Sequence, residues 1–91
     1  MGADAHETTL EIAWRHDGYG HVRVVIPHEL FPDARRLLRA FRALRRETAL
    51  ADLEEEAERI AATLRVRLTW ATEPDPADPL GDWVIISVLP A

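Results

Sequence analysis

The 91-residue chain contains no cysteine, no lysine, no asparagine and no glutamine. The first absence excludes disulfides, thiolate catalysis and cysteine-held metals. The others leave arginine as the only base among the 11 basic residues. A GC-rich genome accounts for that bias most simply, and adaptation to heat is a second reading, since the thermolabile amides are missing too. No apolar run approaches the ~20 residues of a membrane span. The first residues, Met1 to Glu7, carry no basic segment leading into an apolar one, so no secretory signal is expected and the cytoplasm is the expected setting. Glycine numbers only four, and none builds a loop that would cradle a phosphate or flanks a hydroxyl nucleophile.

What is present is a globular composition, 47% apolar, with a formal charge of −5. That length suits one α+β domain spanning 1–91 with residues 1–7 as a flexible tail, and oligomerisation is expected of a core this small. The net charge argues against nonspecific nucleic-acid binding by the molecule as a whole.

Apolar alternation marks the strands. Leu10, Ile12 and Trp14 alternate with Thr9, Glu11 and Ala13, while Val22, Val24 and Ile26 resume the alternation, and the glycine-bearing stretch from His16 to Gly20 between them predicts a β-hairpin. Leu64, Val66, Leu68 and Trp70 form the clearest alternating strand. The stretch from Thr72 to Asp82, with three prolines and a run of acids, reads as an extended solvated loop. Trp83 to Leu89 is apolar on both faces apart from Ser87, which places it centrally in a sheet or under a second cover.

Between the strand pairs lie two helical patterns of opposite phase. At ~100° per residue, Leu37, Phe41 and Leu44 share a face opposite Arg35, Arg39, Arg42 and Arg46, while Leu50, Leu53, Ala57, Ile60 and Leu64 fall on the arginine side of the same helix continued. Either the chain breaks near Arg46 to Ala49, with Thr48 capping a second helix, or one continuous helix serves two bodies in an intertwined dimer. The expected architecture is two-layer ββααββ: a four-stranded, mainly antiparallel sheet with two helices on one face.

Several constellations bear on function. The outward sheet face would gather Trp83, Ile85, Leu89 and Val25 beside Arg23, Arg65 and Arg67, and a sheet-to-sheet homodimer burying that patch is the leading reading. The arginine stripe Arg35, Arg39, Arg42 and Arg46, widened by Arg36 and Arg45, has the geometry of a phosphate-tracking ridge. Its plainer reading is a solvated face, or one paired with the acids of the second helix. His16, Asp17 and His21 crowd one turn, a set of donors that suits a divalent ion, but their spacing fits no compact metal motif. The carboxylates lie where water would keep them ordinary, so no general acid stands out. The acidic loop from Glu73 to Asp82 is a candidate for docking on a basic surface. A noncatalytic, cofactor-free interaction or regulatory module is therefore expected, homodimeric and open to a protein partner, with a nucleic-acid-binding accessory protein as the alternative and a metal-dependent or hydrolytic enzyme a distant third.

Overall fold

The structure is a computed structural model, and it describes residues 7–14, 20–47 and 49–91. Along the chain run β1 (Glu7–Trp14), β2 (Gly20–Pro27), α1 (Ala34–Phe41), a 3-10 helix η1 (Arg42–Arg46), α2 (Leu50–Leu64), β3 (Val66–Asp75) and β4 (Asp78–Pro90). The order differs from plain ββααββ because η1 is wound between the two α-helices. His16, Asp17 and Thr48 lie outside the described residues, as do residues 1–6 of the expected tail; Glu7, its last residue, opens β1.

The sheet runs β1-β2-β4-β3 and is mixed rather than mainly antiparallel. β1 pairs antiparallel with β2 and β3 with β4, but the central pair, β2 with β4, is parallel. The cause is the placement of β4. An apolar strand needs neighbours on both edges and burial on at least one face, so the second hairpin inserts β4 beside β2 and leaves β3 at the edge. Its central position is the one its two-faced apolar pattern points to.

The expected Pro-rich loop is largely strand. β3 continues to Asp75 and the turn is confined to Pro76 and Ala77, where the Asp75 Oδ1 accepts the Ala77 N–H at 2.8 Å. Pro74 is tolerated because β3 is an edge strand, on which a missing N–H donor costs no ladder bond, and the register shifts between Pro74 and Asp75.

The helical phase flip is resolved by a break. Glu47 has ψ 138° and Ala49 sits at φ −118°, ψ 143°, so two residues of extended backbone reset the phase and a continuous helix is excluded. Ala49, not Thr48, is the N-cap of α2. Both helices then serve one core. Ala34, Leu38 and Phe41 of α1, Leu44 of η1, and Leu53 and Ala57 of α2 are buried with Leu10, Val22, Val24, Ile26, Ile86 and Val88 of the sheet. Half-buried Val66, Leu68, Trp70 and Val84 extend it toward β3. Leu64 joins this core from the last turn of α2 instead of opening β3. The Cα envelope is 36 × 34 × 18 Å, and a thickness of 18 Å holds one helix layer on one sheet, with no third layer among the described residues.

Candidate functional site

The period of two that buries Val22, Val24, Ile86 and Val88 sends their neighbours to the other side of the sheet. Adjacent rows across β2, β4 and β3 are His21, Trp83 and Glu73; Arg23, Ile85 and Ala71; and Val25, Ser87 and Thr69, with Leu89 beside Arg67 in the next row. Trp83, Ile85, Leu89, Val25 and Arg23 are half-buried and Arg67 is exposed. Six of the seven residues expected on this face are thus brought together.

Arg65 is the exception. It caps the C-terminus of α2 in the left-handed conformation, φ 59° and ψ 47°, with its N–H bonded to the carbonyls of Ala61 and Ala62. It precedes β3 and belongs to no sheet face. The helix needed one left-handed residue to release the chain into β3, and no glycine stands there.

Charged groups hold the aromatic centre of the face. The His21 ring stacks on Trp83 with centroids 4.7 Å apart and 25° between planes, and the Arg23 guanidinium carbon lies 4.7 Å from the same ring centroid. Each neighbour of the indole has its own carboxylate: Asp75 Oδ2 is 3.6 Å from His21 Nδ1, and Glu11 Oε2 is 3.6 Å from Arg23. The Asp75 side chain is only 10% exposed, so its contact with His21 is the least hydrated of these pairs. Asp75 escaped the sequence reading because proline implied a loop, although the alternation Arg67, Thr69, Ala71, Glu73, Asp75 carries it onto this face.

The arginine stripe is exposed throughout: Arg35, Arg36, Arg39, Arg42, Arg45 and Arg46 all face solvent. Winding changes its membership. In η1 residues i and i+3 eclipse, so Arg42 aligns with Arg45 and the row reads Arg35, Arg39, Arg42, Arg45, with Arg46 turned aside toward Arg36. The expected pairing with the acids of α2 is not seen. Among the described residues three of those five acids turn elsewhere: Glu55 and Glu56 to Arg59 of their own helix, and Glu58 to the Trp70 Nε1–H, which donates to it at 3.1 Å. None of the six arginines makes an ion pair among the described residues.

Of the candidate metal donors only His21 lies within the described residues, engaged with Trp83 and Asp75. No group of three or more His, Asp or Glu side chains suited to a metal converges among the described residues. Among the described residues no helix is long and apolar enough to cross a membrane. Compared with protein families, curated proteins and solved structures, the chain matches none.

Proposed function

We propose that this protein is a noncatalytic interaction module that works as a homodimer through its outward sheet face, in the cytoplasm. One observation carries the reading: the central strands present Trp83, Ile85, Leu89 and Val25 on a face that, among the described residues, has no helix layer. Four strands at ~4.8 Å spacing and some eight residues at ~3.3 Å rise give a footprint of roughly 500 Å² before side-chain relief. Relief brings that toward the low end of specific interfaces, about 600 Å² per partner.

A second copy is the occupant that the charge pattern favours. On β3 the outward charges are Arg67 at one end and Glu73 at the other, where Asp75 is already taken up by His21. A two-fold axis in the interface, perpendicular to the strands and passing between the Thr69 and Ala71 rows, lays Arg67 over the partner's Glu73. The same axis lays Leu89 over the partner's Trp83. Aligned sheet packing of this kind is a standard geometry for two apolar faces.

Light scattering on the purified chain at tens of micromolar tests the reading directly. A dimer is expected for the native sequence and a folded monomer for Trp83→Arg, which would bury an unpaired cation within the interface. A monomeric native protein overturns it.

A further inference from the structure

The arginine row on α1 and η1 has a use that does not depend on the sheet face. We propose that it binds the phosphate backbone of double-stranded DNA without reading sequence.

Six arginines occupy the twelve residues from Arg35 to Arg46, with no acid among them. All six are exposed, and three of the five acids of α2, Glu55, Glu56 and Glu58, bond elsewhere. At ~1.5 Å per residue in the α-helix and ~2.0 Å in the 3-10 helix, the row is roughly 19 Å long. Duplex DNA presents a phosphate every ~3.4 Å along each strand, so a row of this length spans several. Arginine holds phosphate bidentately and keeps its charge at every accessible pH.

The row begins at a cleft. His28, Arg35, Arg36 and Arg39 line a recess of about 490 Å³ with Pro32, Ala34 and a single acid, Asp33. The Asp33 side chain makes no cap bond to α1, so its carboxylate does not occupy the first-turn amides, and three guanidiniums outnumber it. A phosphate oxygen entering this recess meets cations from the helix, beside the His28 ring whose Nε2 is hydrogen-bonded to the Thr8 Oγ1.

Duplex fits better than single strand. Proteins that hold single strands supply aromatic platforms for the bases, and among the described residues this surface has none: Phe41 is fully buried and Phe31 is packed against the core. Backbone contact alone remains, which is sequence-independent. In the proposed dimer the sheets meet and the helix layers lie outside, so each copy keeps its row accessible.

The test is fluorescence anisotropy with a labelled duplex of mixed sequence, about 20 base pairs long, titrated with the untagged full chain between ~50 and ~200 mM salt. Contact with four to six phosphates predicts a log–log salt slope between roughly −3.5 and −5.5, hence a loss of at least a hundredfold in affinity over that range. Arg39→Gln/Arg42→Gln should reduce the slope by about two units. Arg59→Gln/Arg65→Gln removes the same net charge away from the row and should leave binding within twofold of the native protein.

Circular dichroism checks that each variant is folded. If the first pair fails to fold, Arg35→Gln/Arg45→Gln replaces it with the same expected effect. No binding at low salt overturns the proposal, as does equal loss in the two charge-matched variants. Tighter binding of the unpaired strand than of the duplex overturns it too. Monomeric protein that still binds would separate this proposal from the dimer reading.

Discussion

His21 and Trp83 face each other across the only parallel strand pair of the sheet, and their rings stack at 4.7 Å with 25° between planes. The pairing follows from register. Parallel neighbours on β2 and β4 sit side by side, and His21 and Arg23, two residues apart on the same face, both reach the indole. Asp75 and Glu11 anchor them from the two edge strands. The indole is thereby held in place on the central strand β4, a preorganised anchor of the kind that concentrates binding energy at interfaces.

His21→Ala should therefore weaken the anchor without unfolding the domain. A stacked aromatic pair contributes about 0.5–1.5 kcal/mol, and with His21 41% exposed the lower end is expected. Urea unfolding at fixed protein concentration should show a small drop in midpoint, and dimer dissociation, read by analytical ultracentrifugation, should shift several-fold. An unchanged dissociation constant would show that Trp83 needs no support from His21.

The two-fold arrangement makes a charge-reversal prediction. Arg67→Glu places two acids against each other across the interface and should weaken the dimer about tenfold or more, because like charges juxtaposed at an interface cost free energy. Adding Glu73→Arg swaps both ends and should restore association. Failure of the double variant to recover would rule out this axis, even if the native protein dimerises.

Much of this was legible in the residues. Alternation identified the inward and outward faces of β2 and β4, and the lack of polar residues on Trp83 to Leu89 pointed to a central strand. Parallel pairing was not legible, because a ββ unit followed by helices and another ββ unit closes with either hairpin strand innermost, and only burial of β4 decides. The prolines between Thr72 and Asp82 concealed the length of β3, since an edge position tolerates Pro74 where a central one would not. Arg65 read as an alternating strand residue because its spacing fits; the need for a left-handed turn after α2 arises only once the helix and β3 are both in place.

That turn yields the next prediction. A non-glycine residue in the left-handed region costs on the order of 1 kcal/mol, and the N–H that caps α2 is retained by glycine. Arg65→Gly should raise the urea midpoint by the equivalent of about 0.5–1 kcal/mol with the denaturant slope unchanged. Dimerisation should not change, because Arg65 lies off the sheet face. A lower midpoint would assign the guanidinium a stabilising contact.

The core sets a scale for these effects. Leu53 is fully buried between α2 and the sheet, whereas Leu30 is 45% exposed. Leu53→Ala should cost about 2–5 kcal/mol, the loss of transfer free energy plus the cavity left behind. Leu30→Ala should stay within about 0.5 kcal/mol. Comparable losses at both sites would mean that Leu30 is covered in solution, and the assembly would then involve more than the sheet face.

The break between the helices can be tested by the sign of one substitution. Ala49 has the extended backbone of an N-cap, and its carbonyl accepts the Leu53 N–H at 3.0 Å, but its methyl group satisfies none of the free amides of the first turn. Ala49→Ser supplies an oxygen to the Ala51 or Asp52 amide, and such a cap stabilises a helix by about 0.5–2 kcal/mol. Were α1, η1 and α2 one continuous helix, the same serine would stand in a helix interior and destabilise it by up to about 0.7 kcal/mol relative to alanine. A rise in the urea midpoint is therefore expected. A fall would restore the continuous helix, and with it an intertwined dimer in which the two apolar faces serve different copies.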